Sequence, residues 1–234
     1  MCGRIVLTTA PHLLAERFFL DQVPDLVPSF NIPPGGDVAA VLPNPNSEGR
    51  LIHLLKWGLD LPWMQGPQPG PKLINARSET VTEKPAFREA FLHRRCLVPA
   101  DGFYEWQKRA GGTQPYYFSA KDRQPLALAA LWASHEYPGG RRVDSCTVLT
   151  TAANSLMRPV HHRMPVILPP EKWQAWLDLT QDPDVDLQGL LKPVASDILQ
   201  SWPVTREVGQ PAFDRPQCIE PVWDDPDGQL NLFG

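Results

Sequence analysis

Residues 95–134 read RCLVPADGFYEWQKRAGGTQPYYFSAKDRQPLALAALWAS. Three apolar and aromatic runs, CLVPADGFYEWQK, QPYYFSA and PLALAALWAS, are separated by the turn-forming segments AGGTQ and KDRQ. Such runs, broken by Gly- and Pro-bearing turns, predict successive strands. Outward from this block, GRIVLTT (3–9), DVAAVLP (37–43), RLIHLLKWGL (50–59), DSCTVLTTAA (144–153) and SWPVTREV (201–208) also read as strands. Helical spacing is confined to Pro11–Leu20, KPAFREAFLHRR (84–95) and PEKWQAWLDL (170–179), the last with Pro169 and Pro170 at its start. GPQPGPK (66–72) reads as loop. Many short strands with a few short helices predict an α+β fold: a curved, mostly antiparallel, barrel-like core with peripheral helices. No long polar linker divides the chain, so one domain is expected over 1–228, followed by a tail at 229–234.

The chain has 234 residues, 42% of them hydrophobic, which suits one good-sized core. It holds 27 prolines, more than twice the usual ~5% share, in keeping with many turns and few long helices. No apolar run approaches the roughly 18 residues that span a bilayer, and the N-terminus lacks the pattern of a secretory signal. A cytoplasmic protein without a membrane partner is expected, with Cys2, Cys96, Cys146 and Cys218 reduced. None of these forms a CxxC pair, so no metal is expected. No Gly-rich phosphate loop is present either, and no cofactor is expected.

The net charge of −4 is unevenly placed. Residues 171–234 hold 12 acids against 4 bases, which leaves residues 1–170 at +4. There the bases cluster as Arg88, Arg94 and Arg95; as Lys108 and Arg109; and as Arg158 and Arg163 beside His161 and His162. The pattern suits either a solvated surface with an acidic tail or a basic face for nucleic acid.

The chemistry starts at MCGR, residues 1–4. Removal of Met1 before a small residue would leave Cys2 with a free α-amine and a thiol on neighbouring carbons. The amine has a pKa of about 7.7–8.0 and the thiol about 8.5, so both supply some nucleophile near neutrality. Toward an aldehyde the amine forms a Schiff base, and the thiol can close a five-membered thiazolidine on the same carbon. Gly3 leaves room for a ligand. Toward an amide, the thiolate would attack with the amine as base.

Three further stretches offer partners. NARSET (75–80) supplies an amide at Asn75 and a bidentate donor at Arg77, or is simply a turn and helix cap. DGFYEW (101–106) sets Glu105 among aromatics, where a carboxyl pKa rises, unless it faces solvent from a strand. PVHHRMP (159–165) places two histidines beside an arginine.

Taken in order, MCGR, FNIPPG, NARSET, RRCLVPADGFYEW, ALAALWA, TVLTTAAN, HHRMPVIL and WPVTREVG resemble the SRAP (SOS-response-associated peptidase) family across most of the chain. That family comprises sensors that crosslink to abasic sites in single-stranded DNA. The resemblance implies the SRAP-type fold and a thiazolidine bond from Cys2 to a ring-opened abasic deoxyribose. It implies that Asn75 positions the sugar or the Cys2 amine, that Glu105 moves protons, and that His161 polarises sugar oxygens. The histidine is assigned by counting back from RMP, which leaves His162 as the alternative. Arg77 and Arg163, with Arg4, are implied as phosphate contacts, Trp106 and Trp63 as stacking platforms, and Thr150 as a further nucleic-acid contact. The family usually has an acid where His162 stands, and often an asparagine where Gln210 stands.

The tail GQLNLFG contains Gln229–Phe233, which resembles the peptide by which bacterial proteins bind the replication sliding clamp; a terminal strand folded back on the domain is the other reading. The leading expectation is therefore a monomeric abasic-site sensor in single-stranded DNA, with β-elimination as a side activity. The alternatives are a thiol peptidase with Cys2 as nucleophile, His161 as base and Asn75 in the oxyanion hole, an amidotransferase beginning Cys-Gly, and a single-strand-binding module with Cys2 incidental.

Overall fold

A computed structural model describes residues 2–61, 72–180, 186–224 and 230–231. Its strands are β1 (Ile5–Leu7), β2 (Ser29–Ile32), β3 (Asp37–Pro43), β4 (Arg50–Trp57), β5 (Asn75–Arg77), β6 (Arg95–Ala100), β7 (Gly102–Arg109), β8 (Gly112–Ala120), β9 (Leu126–Glu136), β10 (Arg142–Ala152), β11 (Arg163–Pro165) and β12 (Leu199–Pro203). The helices are α1 (Pro11–Phe18), α2 (Pro85–His93) and α3 (Trp173–Leu177). Among the described residues no helix is long and apolar enough to cross a membrane.

Two sheets carry the fold. One runs β12-β8-β7-β1-β2, and the other β11-β10-β4-β3-β6-β9 with β5 added on β10. Because β9 pairs with both β6 and β10, strands β10, β4, β3, β6 and β9 close into a ring. Closure removes the sheet edges that would otherwise present unpaired backbone. All pairings in these sheets are antiparallel except those of β10 with β4 and with β5. The α+β, barrel-like expectation holds.

The apolar runs that predicted these strands are continuous because both faces are covered. In β3, Val38, Ala40 and Leu42 join one core with Ile5, Phe103 and Phe118 of the five-stranded sheet. The alternate residues Ala39 and Val41 join a second core under the helices, with Leu14, Phe18, Phe91, Trp173 and Trp176. Phe18 stacks on Trp173 at 4.7 Å between ring centroids. Gly102, at the β6–β7 corner, is required: a Cβ there would lie 2.4 Å from the Phe118 carbonyl oxygen.

Local differences from the sequence reading have tertiary causes. The first helix ends at Phe18 because Phe19 takes the left-handed conformation (φ 54°) that closes a helix C-terminus. The third is a short 3₁₀ turn followed by five α-helical residues. The late strand starts and stops earlier than predicted, at Pro203, and Arg206–Gly209 forms a 3₁₀ turn instead. NARSET, open between a binding turn and a cap, is strand β5 followed by a 3₁₀ turn at Ser78–Thr80. Most of GPQPGPK, together with Met1, lies outside the described residues.

Candidate active site around Cys2

β10 organises the site. Along one edge it pairs in parallel with β5, Val148 against Asn75 and Thr150 against Arg77. Along the other it pairs with β11, Thr150 against Pro165 and Ala152 against Arg163. The NARSET and HHRMP stretches, remote in sequence, are thus flanks of one strand. By strand alternation Asn75 and Arg77 share a face, while Ala76 between them is buried in the core beneath the helices. Arg77 is exposed.

The N-terminal segment is brought in by β1. Ile5 pairs with Phe103, and the Tyr104 N–H donates to the Arg4 carbonyl at 3.0 Å. Continued by two residues, that register sets Gly3 opposite Glu105. Asp101 anchors the far end of β1, accepting from the backbone N–H and hydroxyl of both Thr8 and Thr9 at 2.5–2.9 Å. Cys2 is fully buried, and its carbonyl accepts from Asn75 Nδ2 at 2.7 Å. The other side-chain atom of Asn75, Oδ1, is buried with no hydrogen-bond partner among the described residues.

Burial governs the electrostatics. It pushes the Cys2 thiol far above its usual range, and the neighbouring Glu105 carboxylate adds to the effect. Glu105 itself is 2% exposed, and burial raises its pKa against the opposing hydrogen bond from the Trp106 backbone. His161 Nδ1 lies 4.0 Å from Glu105 Oε1. The same nitrogen lies 3.0 Å from the Arg163 backbone nitrogen and 3.1 Å from the Arg163 carbonyl oxygen, so the Arg163 backbone holds the ring in place. Burial, then the charges of Arg163 and Lys108, hold the His161 pKa below the ordinary histidine value. His162 stacks on His161 at 4.4 Å between centroids, and the His161 charge is the largest influence lowering its pKa. A buried thiol, a raised carboxyl and a neutral imidazole make a site suited to proton transfer during attack on a carbonyl.

The residues expected at phosphates and bases are placed differently from one another. Arg4 donates from Nη1 to Asn31 Oδ1 (2.7 Å) and the Val208 carbonyl (2.8 Å), and from Nη2 to the Gly209 carbonyl (3.0 Å). Its guanidinium ties the N-terminus to WPVTREVG. Arg163 is bidentate with Glu79, at 2.6 and 2.9 Å, and also donates to the Thr150 carbonyl at 2.6 Å. Thr150 is fully buried behind it. Trp106 falls on the opposite face of β7 from Glu105, packed against the cluster of Tyr104, Tyr117, Val204 and Val208. Trp63 lies outside the described residues. Of the basic clusters, Arg94 pairs with Glu89 at 3.3 Å, and Arg95 is buried among the carbonyls of Phe91, Leu92, Trp176 and Asp178. That part of the expected basic face is structural.

Sequence reading missed Asn31, Gln107 and Glu79. Asn31 Nδ2 donates to the carbonyls of Val208, Gln210 and Phe213, which explains an asparagine in FNIPPG. Gln107 Nε2 donates to the Pro159 carbonyl at 3.0 Å, so it holds the loop that bears the histidines. Asn31 in FNIPPG and Glu79 in NARSET lie inside the quoted motifs and Gln107 directly follows DGFYEW, the one sequence signal of such roles.

The family model "SOS response associated peptidase (SRAP)" matches residues 1–211. The chain is 38% identical over 225 residues to Abasic site processing protein YoqW of Bacillus subtilis, covering 94% of this chain and 99% of that relative. It is 32% identical to Abasic site processing protein HMCES of Gallus gallus, over 76% of this chain and 59% of that protein. A solved structure of a Bacteroides thetaiotaomicron protein superposes with a TM-score of 0.82 at 22% identity, covering 95% of this chain and all of that one, a likeness of fold. By the match of the family model over most of its length and by its identity to YoqW, the chain belongs to the SRAP family.

Proposed function

We propose that this protein captures abasic sites in single-stranded DNA by forming a thiazolidine at the amine and thiol of Cys2 after Met1 is removed. The observation that carries the reading is the setting of Cys2: buried, its carbonyl held by Asn75 at 2.7 Å, and within the field of a buried Glu105. The names of its relatives support the substrate.

The neutral amine adds to the C1 aldehyde of the ring-opened sugar, and loss of water gives a Schiff base. The thiol then adds to that carbon; a C–S bond forms and the sulfhydryl proton passes to nitrogen. The steps balance without an oxidant or reductant. A thiol held protonated by burial favours attack by the amine first. Glu105, whose pKa burial raises, protonates the departing oxygen, and the His161 ring stabilises sugar oxygens. β-Elimination from the Schiff base is a side path. The peptidase alternative needs a resting thiolate, which burial of Cys2 opposes.

The exposed Arg77, on the face of Asn75, is a phosphate contact in this reading. The whole of residues 1–228 acts as one domain. The Gln229–Phe233 segment is proposed as a sliding-clamp peptide. Leu230–Asn231 pairs with Trp223–Asp224, and Gln229, Leu232 and Phe233 lie outside the described residues. A clamp pull-down with and without the last six residues checks this, and unchanged capture overturns it.

The deciding experiment incubates the protein with an oligonucleotide bearing one abasic site and weighs the denatured products. A covalent adduct is expected without borohydride. It is lost in Cys2→Ala and when a peptide precedes Cys2. Absence of an adduct with the mature protein refutes the reading.

A further inference from the structure

Glu79 and Arg163 form the tightest ion pair beside the site, and its two halves are unequally placed. The Arg163 side chain is 11% exposed and that of Glu79 49% exposed. Arg163 is anchored from behind: Nη2 also donates to the Thr150 carbonyl, and Nε is buried without a partner among the described residues. The Glu79 carboxylate takes both Nη1 and Nη2, at 2.6 and 2.9 Å. That fork matches a phosphate as well as a carboxylate. Glu79 sits in a single 3₁₀ turn between β5 and the segment leading to α2, with its side chain half exposed.

We propose that Glu79 is an internal phosphate surrogate: it occupies the Arg163 fork in the free protein, and a backbone phosphodiester of bound single-stranded DNA displaces it. The inference rests on the DNA-binding reading above. Thr150 keeps the guanidinium in place during the exchange. The Arg163 backbone N–H continues to hold His161 Nδ1, so the phosphate is seated next to the site without disturbing the imidazole. Every DNA-binding event must then break the carboxylate pair, which makes Glu79 a brake on affinity and on unspecific binding.

The test is reversible binding of a single-stranded oligonucleotide without an abasic site, followed by fluorescence anisotropy. Wild type is compared with Glu79→Gln, with Glu79→Asp, and with Glu83→Gln, which removes one nearby acid outside the pair. Glu79→Gln should bind about three- to tenfold more tightly than Glu83→Gln, the size of an ion pair that no longer has to be broken. Glu79→Asp keeps the charge but shortens the reach, and should show part of the gain. Equal or weaker binding by both Glu79 variants overturns the proposal, because the pair then persists in the complex. Should Glu79→Gln prove unfolded by circular dichroism, the Glu79→Asp comparison decides alone. An abasic-site adduct with no gain in either variant removes only this inference, whereas wild-type protein that neither binds nor crosslinks removes both readings.

Discussion

The side-chain amide of Asn75 donates to the backbone carbonyl of Cys2 at 2.7 Å, across 73 residues of sequence. The bond fixes the last peptide before the amine and leaves Asn75 Oδ1 as a buried acceptor at the site. Asn75→Asp removes the donor and sets a carboxylate against a carbonyl. Adduct formation by this variant should slow about tenfold or more, as for loss of one aligned hydrogen bond of ~1–2 kcal/mol. Single-turnover crosslinking at saturating oligonucleotide measures it.

Glu105 couples function to stability. Its folded pKa is raised by burial, so the folded state binds the proton more tightly than the unfolded chain does. Stability from this group is therefore complete at acid pH and is lost as pH rises through the raised pKa. Glu105→Gln should be more stable than wild type at pH 7–8, by roughly 2–4 °C in Tm per kcal/mol released, with the gap closing below the usual carboxylate range. Its crosslinking should fall by about 10²–10⁴, the usual contribution of a positioned acid or base. Thermal melts across pH and single-turnover rates check the two halves separately.

In the proposed reaction His161 acts as a neutral imidazole, because burial and the nearby cations lower its pKa. The acid limb of crosslinking should lie below the ordinary histidine value of ~6.5. His162→Glu places an anion beside the ring, favours the imidazolium and should move that limb upward, by about one unit for a close pair. A pH–rate profile of both proteins measures the shift.

Asp101 joins the β6–β7 corner to β1 through four hydrogen bonds from Thr8 and Thr9. Asp101→Ala should destabilise the fold by about 2–3 kcal/mol, as when several partly buried donors lose one charged acceptor. Urea denaturation measures this directly. Crosslinking by the folded fraction should also slow, because β1 carries Cys2 into the site.

Much of the sheet was legible in residues 95–134 because strand signals are local. VAAVLP (38–43) and LALAALWA are apolar at every position, and the structure buries both their faces. Two short strands were not legible. β5 and β11 have three residues each, and they are strands only because β10 offers them hydrogen-bond partners. The run SWPVTREV reads as one strand, yet it stops at Pro203 where the chain turns to present the carbonyls that Arg4 and Asn31 bind.

By itself, the sequence determined the inventory: an N-terminal Cys-Gly, the ordered motifs of a family, a strand-rich chain and a run of bases. It determined these because composition, period-two patterning and motif order are properties of neighbours along the chain. The tertiary structure decided which of those side chains are engaged within the fold. Arg4 is bound to carbonyls 204 and 205 residues away, Arg163 to a carboxylate 84 residues away, and Arg95 to a helix end 81 residues away. Trp106 shares a strand with Glu105 but faces the other way. A guanidinium or an indole looks the same in sequence whether it waits for DNA or holds the fold, because its partner is set by strand register and closure of the ring.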